Sequence, residues 1–162
     1  MLKKSVAILS LAIILCMTGC SNSSHFKIQP AEPDGTYATA TRLTALEYSL
    51  YMNKQLTVFA TQINTRMLAV QNTKDTDYAD EAKLAEESKD IMHDARAEVE
   101  VTYPSEGRDD DRETTLEAMD VAIADMEKYI EALKSGQDIS DFADIFENDF
   151  NALTGLANLY YE

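Results

Sequence analysis

The stretch LEAMDVAIADMEKYIEAL, residues 116–133, decides the fold. Its apolar side chains recur every three or four residues, which places them on one face of an α-helix. These side chains are Leu116, Met119, Ile123, Met126, Ile130 and Leu133. Charged residues lie between them, so one face suits burial and the other suits water. The spacing predicts a helix of the kind that packs in bundles.

The same spacing extends on both sides of this stretch and predicts four helices. They span residues 38–72, 77–102, 109–135 and 139–160. The links between them are short, and Pro104 and Gly136 interrupt the helical pattern in the second and third links. Short links make consecutive helices antiparallel neighbours. The predicted fold is therefore all-α, a four-helix up-and-down antiparallel bundle.

Two further helices carry recognisable apolar faces. On the second helix the expected core positions are Leu84, Ser88, Ile91, Ala95 and Val99. On the fourth helix they are Ile139, Phe142, Phe146, Phe150, Leu153, Leu156 and Tyr160. Together with the third helix, these faces predict one shared interior that includes Ile123 and Phe146.

The first predicted helix has fewer charges and a broader apolar surface. Leu43, Leu46 and Leu50 point in one direction, whereas Leu56, Ile63, Met67 and Val70 lie about a third of a turn away. Several Tyr, Met and Phe residues widen this surface: Tyr48, Tyr51, Met52 and Phe59. The pattern allows two interpretations, a helix buried against several neighbours or a surface that binds a partner or ligand.

Length and charge limit the function. The chain has 162 residues, 45% of them hydrophobic, and a formal net charge of −15. This size suits one hydrophobic core. The acidic balance argues against nucleic-acid binding, which requires clustered Lys and Arg. Many acids begin predicted helices, where they favour the positive end of the helix dipole.

The first twenty residues have the organisation of an export signal. Lys3 and Lys4 precede an apolar run over residues 6–17, which as a helix would rise about 18 Å, too short to cross a bilayer. The run ends at Met17-Thr18-Gly19-Cys20. This segment resembles the leader of bacterial membrane lipoproteins, in which an aliphatic residue, a small residue, and Gly or Ala precede the modified Cys.

The resemblance implies cleavage between Gly19 and Cys20 and acylation of the Cys20 thiol with diacylglycerol. Residues 1–19 would be a removed signal peptide, residues 20–36 a lipidated cysteine and tether, and residues 37–162 the bundle domain. The mature chain would have no free thiol and a formal charge of −17, because the cut also removes Lys3, Lys4 and Cys16. The expected location is the extracytoplasmic side of a bacterial cell membrane.

Few residues suggest catalysis or metal binding. There is no nucleophile motif, and the chain has two His, one of them within the predicted tether. Asp90 and His93, spaced i and i+3, could share a cation, but they fall on the predicted solvent face. Asp109 and Asp111 could attract Ca²⁺, but a helix start explains them as well.

These observations predict a non-catalytic protein without a cofactor, anchored through lipid on Cys20. The expected role is a binding or structural module whose partner is an envelope protein or a cell-wall component. The alternative is a lipoprotein that binds a small ligand or a divalent cation.

Overall fold

The computed structural model describes residues 43–72 and 77–161. These residues form four α-helices: α1 (Ala45–Gln71), α2 (Tyr78–Val101), α3 (Asp109–Ser135) and α4 (Phe142–Leu159). No β-strand occurs in the two described ranges. The predicted all-α class is confirmed. The predictions for the leader, for Cys20, for the tether and for residues 73–76 lie outside the described residues.

The helices form an up-and-down bundle. α1 and α3 each pack against both α2 and α4. The start of α1 meets the end of α2, where the Tyr51 hydroxyl donates a hydrogen bond to the Glu98 carboxylate at 2.7 Å. The end of α1 meets the start of α2, where Arg66 contacts Glu81. Contacts between α2 and α3 and between α3 and α4 have the same antiparallel sense, which confirms the predicted topology.

The bundle interior is apolar and draws on all four helices. Its largest fully buried side chains are Tyr48, Tyr129, Phe59, Phe146, Met52, Leu56, Ile63, Met92, Met119, Met126, Ile139 and Leu153. Ile123 and Phe146, predicted to share this interior, are 6% and 0% exposed. The 3-4 spacing on α3 therefore located the centre of the fold.

The start of α1 differs from the prediction. Leu43 and Thr44 are not helical, and α1 begins at Ala45 instead of residue 38. The reason is a capping box: the Glu47 backbone N–H donates to Thr44 Oγ1 at 3.3 Å, while the Thr44 backbone N–H donates to Glu47 Oε2 at 2.9 Å. These bonds satisfy donors that have no partner within the helix. The hydrogen bonds that the Thr44 backbone N–H and hydroxyl donate to the Glu47 carboxylate lower the pKa of Glu47.

The start of α4 also differs. The helix begins at Phe142, three residues after the predicted start at Ile139. The Asp138 carboxylate accepts the Ser140 backbone N–H at 2.9 Å and forms a turn before the helix. Ile139 is still fully buried. The predicted start of the fourth helix is therefore wrong, although Ile139 is a core residue as predicted.

The predicted buried face of α2 is wrong at two positions. Leu84 and Ile91 are 46% and 43% exposed. The buried face consists mainly of small residues, with one charged side chain: Glu81, Ala82, Ala85, Ser88, Met92, Ala95 and Val99. At 100° per residue, Leu84 and Ile91 lie about 80° from the middle of this face. Small residues face the core because they allow neighbouring helices to approach closely, and the larger ones are displaced to the edge.

The ambiguity over α1 is resolved in favour of the core. Tyr48, Met52 and Phe59 are fully buried, so the Tyr- and Met-rich surface packs inside the bundle. Leu46 and Leu50 are 69% and 61% exposed and point away from the interior. The aromatic surface of α1 is therefore structural, while Leu46 and Leu50 face outward.

Candidate interaction surface

The structure separates the sequence-predicted site residues instead of assembling them. Gly19 and Cys20 lie outside the described residues. Asp90 and His93 are exposed on α2, as the helical register predicts. Asp109 and Asp111 lie at the start of α3. Within residues 43–72 and 77–161, no three or more His, Cys, Asp or Glu side chains are grouped so that they could hold a metal ion.

Of the three acids in the first turn of α3, Asp111 makes a structural contact. Asp111 Oδ2 accepts a hydrogen bond from Arg108 Nη1 at 2.8 Å, and the pair forms a half-buried ion pair. The same Arg108 atom donates to the Leu159 carbonyl at 3.0 Å, at the end of α4. Asp111 thereby helps to hold an arginine that joins two helices. The sequence allows a helix start as one explanation for these acids, and they do lie in the first turn of α3.

A buried polar cluster joins three helices at one end of the bundle. Arg66 Nη1 of α1 lies 3.1 and 3.2 Å from the two carboxylate oxygens of Glu81 on α2. The Tyr129 hydroxyl of α3 donates to Glu81 Oε1 at 3.0 Å. Burial and the neighbouring carboxylate raise the pKa of Tyr129. The cluster is a structural crosslink, because both the Arg66 Nη1 atom and the Tyr129 hydroxyl donate to Glu81, although the buried Arg66 Nε has no hydrogen-bond partner within the described residues.

A second polar cluster lies at the opposite end. The rings of Tyr48 and Tyr160 meet edge to face, with centroids 5.9 Å apart. The Tyr160 and Thr115 hydroxyls are 2.9 Å apart and share a hydrogen bond. Burial raises the pKa of both tyrosines. These contacts fasten the end of α4 to α1 and α3.

One buried carboxylate has no such partner. Asp149 on α4 is 8% exposed, and its Oδ2 atom accepts no hydrogen bond within the described part of the chain. Burial, reinforced by the nearby Asp125 carboxylate, raises the pKa of Asp149 to about 6, and Lys128 opposes that rise. Asp149 is the most strongly perturbed carboxylate among the described residues. Asp125 and Lys128 belong to α3, so Asp149 faces charged groups of the neighbouring helix.

The outer surface divides into two electrostatic halves. Thirteen exposed carboxylates lie on α2 and α3: Asp80, Glu87, Asp90, Asp94, Glu98 and Glu100 on α2, and Asp109, Asp110, Glu113, Glu117, Asp120, Glu127 and Glu131 on α3. The described helices α1 and α4 expose three: Glu47, Asp144 and Glu147. We call the first the acidic half; the second, whose exposed charges among the described residues are these three acids and Lys54, we call the uncharged half. Since α1 and α4 are neighbours, each half is one continuous side of the bundle.

Two adjoining grooves lie within the acidic half, between the start of α2 and the end of α3. Their volumes are about 490 and 560 Å³. Both grooves include Glu86, Lys134 and Ser135 in their walls. Lys134 Nζ donates to Glu86 Oε1 and so bridges the two helices. The first groove has five charged residues among the seven that line it and suits a polar or charged segment, whereas the second has three among nine and is more mixed.

The division of the surface was only partly visible in the sequence. The low charge of the first predicted helix was a signal for it. The exposed position of Leu46 and Leu50, and the uncharged outer surface of the second half of α4, depend on which residues the bundle buries. Counting exposed acids helix by helix would have located the acidic half once the helical faces were known.

Comparisons of the chain with protein-family models, with curated proteins and with solved structures found no match. The fold and the surface define an acidic four-helix bundle with one charged and one uncharged half. Among the described helices, none has the length and apolar character needed to cross a membrane.

Proposed function

We propose that this protein is a lipid-anchored module of a bacterial cell envelope, which binds a basic partner through its acidic half. The observation that carries the binding role is the concentration of thirteen exposed carboxylates on α2 and α3. A surface of one sign attracts ligands of the opposite sign and accelerates their association. The partner is a Lys- and Arg-rich segment of an envelope protein.

The anchoring role is supported by the order of segments at the start of the chain. Two lysines, a short apolar run and Met17-Thr18-Gly19-Cys20 follow one another with the spacing of a lipoprotein leader. A diacylglycerol group supplies two acyl chains, and each buried CH₂ contributes about 0.8 kcal/mol. Two chains hold a protein on a membrane where a single chain would allow it to dissociate.

A non-catalytic role is supported by buried polar side chains of the described helices that bond to one another. The Arg66, Glu81 and Tyr129 side chains bond to one another in the interior. Two exposed acids of α2, Asp80 and Glu100, form ion pairs with Lys83 and Arg96 on the same helix. This arrangement favours recognition of charge over a chemical reaction.

Replacing the modified cysteine tests the anchor. In Cys20→Ala, labelling with an alkynyl fatty acid should disappear, and the protein should leave the membrane fraction. Cys16→Ala is the matched control, because Cys16 lies inside the proposed signal peptide and its loss should leave labelling intact. Undiminished labelling of Cys20→Ala would contradict the anchor.

Capture of the partner from detergent-solubilised envelopes tests the binding role. The bait is the full chain, and the test variant carries Asp90→Asn and Asp94→Asn, two exposed acids of α2 with no ion pair within the described structure. The control carries Asp144→Asn and Glu147→Gln on α4. We expect a stoichiometric basic protein that wild type and control recover, that the test variant recovers several-fold less, and that salt releases. Equal recovery by both variants would contradict binding through the acidic half.

A further inference from the structure

The outward surface of α1 is unusual for a protein of this charge. Its exposed positions include Leu46, Leu50 and Leu68, which are 69%, 61% and 47% exposed. Between them lie Thr57 and Thr61, whose hydroxyls donate at 2.7 and 2.8 Å to backbone carbonyls four residues earlier. Because those hydroxyls already donate hydrogen bonds within the helix, covering them costs less free energy than covering unbonded hydroxyls. The exposed charges of α1 are Glu47 and Lys54, so its outward surface carries few charges and is partly apolar.

The second half of α4 continues this surface. The exposed residues of α4 that follow Glu147 are uncharged: Asn148, Asn151, Ala152, Gly155, Asn158 and Leu159. Gly155 lies inside the helix, on the side opposite the buried Phe146 and Leu153. A helix-interior glycine disfavours the helix relative to alanine. No packed neighbour lies within 4 Å of the position that a Cβ atom would take there, so packing within this chain does not require the glycine.

We infer that the uncharged half, formed by α1 and α4, is the interface through which two copies of this chain associate. Any contact through the acidic halves would bring many carboxylates of two copies together, which costs free energy. Contact through the uncharged halves keeps those carboxylates on the outside of the dimer. Gly155 then has a role, since it allows the backbone of α4 to approach the second copy closely.

The size of the uncharged half agrees with this assignment. α1 has 27 residues and α4 has 18, so the helices are roughly 40 and 27 Å long at 1.5 Å per residue. Packed helices lie about 8–10 Å apart, which gives the two-helix side an area of roughly 540–670 Å². A stable protein interface buries about 800 Å² on each partner. One helix alone would be too small, whereas the two together approach the required area.

Photo-crosslinking of the purified full chain in detergent tests the interface. The photoreactive residue p-benzoylphenylalanine replaces Leu50 in one variant and Ile91 in the other; both side chains are large, apolar and exposed, but Ile91 lies on α2. We expect a product of twice the chain mass from the Leu50 variant, at least tenfold more abundant than from the Ile91 variant. A chain that is monomeric by light scattering at about 100 µM, or equal yields from the two positions, would overturn the inference.

Two substitutions separate the dimer from the fold. Gly155→Leu should weaken self-association at least tenfold while the helical circular dichroism stays unchanged. Ala124→Leu, on the exposed surface of α3, is the matched control and should leave association unchanged. If Gly155→Leu disturbs the fold, Leu50→Glu with Ile91→Glu as its control gives the same comparison. Unchanged association of both Gly155→Leu and Leu50→Glu would overturn the inference.

These measurements need neither the envelope partner nor the lipid. A monomeric chain would leave the fatty-acid labelling and the basic partner unaffected. If the uncharged half instead bound a different protein in the envelope, the purified chain would stay monomeric while crosslinking from residue 50 in envelopes would give a heterologous product, and this outcome too would overturn the inference.

Discussion

Arg66 of α1 and Glu81 of α2 form an ion pair inside the bundle, with side chains 9% and 7% exposed. Arg66 Nη1 contacts both carboxylate oxygens, and Tyr129 of α3 donates to one of them. Removing charges from water is costly, and their mutual attraction and hydrogen bonds offset that cost only while all partners are present. The pair therefore fixes how α1, α2 and α3 meet more than it adds to the free energy of unfolding.

Arg66→Met should destabilise the protein by about 3–5 kcal/mol, because it leaves the Glu81 carboxylate buried without its cation. The double variant Arg66→Met with Glu81→Leu should lie much closer to wild type. Urea titration measures both values. The exposed pair formed by Lys83 and Asp80 supplies the control, and Lys83→Met should cause no measurable change. A double variant as unstable as the single one would contradict this account.

Ile123→Ala and Phe146→Ala should each reduce the free energy of unfolding by about 2–5 kcal/mol. Both side chains are buried, and truncation leaves a cavity in the centre of the bundle. Ile91→Ala is a matched control, because the same side chain is 43% exposed there, and it should cost well under half as much as Ile123→Ala. Equal losses for the two isoleucines, measured by urea unfolding, would show that the helical faces are assigned incorrectly.

The contrast between Ile123 and Ile91 shows how far the sequence could predict this fold. On α3, large apolar residues recur without interruption, and a register read from them is correct. On α2, four of the seven buried positions are Ala or Ser, which are less hydrophobic than leucine and isoleucine, so Leu84 and Ile91 led to a wrong prediction of the buried face. Glu81 could not have been placed in the core from sequence, because its burial depends on Arg66 and Tyr129 from two other helices.

The candidate surface was predictable to a smaller extent. The sequence shows that the first helix has few charges. A helix buried against several neighbours and a helix with an exposed binding surface would both have this composition. The structure divides the helix, with Tyr48 and Met52 inside and Leu46 and Leu50 outside. The sequence does contain the capping-box pattern Thr-x-x-Glu at Thr44 and Glu47, before an apolar run. This pattern predicts a start of α1 at residue 45, where the helix begins.

The protein should become more stable as the pH falls from about 7 to about 5, because of Asp149. Its folded-state pKa is about 6 against an ordinary value of 3.8, so the folded state binds a proton more tightly than the unfolded state. The resulting stabilisation is complete below the unfolded pKa and is lost as the pH rises through 6. Its size is at most about 3 kcal/mol, since one pKa unit corresponds to about 1.4 kcal/mol.

Asp149→Asn isolates this contribution, because the amide does not ionise. The variant should be more stable than wild type at pH 7.5, and the difference should shrink towards pH 4.5. Glu86 and Asp138, whose pKa values are lowered by Lys134 and by backbone hydrogen bonds, act in the opposite direction at lower pH and are common to both proteins. Parallel pH profiles of wild type and Asp149→Asn, by urea titration, would exclude Asp149 as the source.

Ca²⁺ should stabilise the protein no more than matched ionic strength from NaCl or an equal concentration of Mg²⁺. The acids at the start of α3, Asp109, Asp110 and Asp111, interact with the helix dipole, and Asp111 also holds Arg108. Replacing all three by Asn should lower the melting temperature slightly in every salt, because these interactions are lost. Screening of the exposed charges depends on ionic strength and not on which cation is present. Thermal melts with and without millimolar Ca²⁺ make the comparison. A rise in melting temperature that is specific to Ca²⁺ and absent from the triple variant would show instead that these carboxylates ligate the ion, and would favour cation binding over recognition of a basic protein.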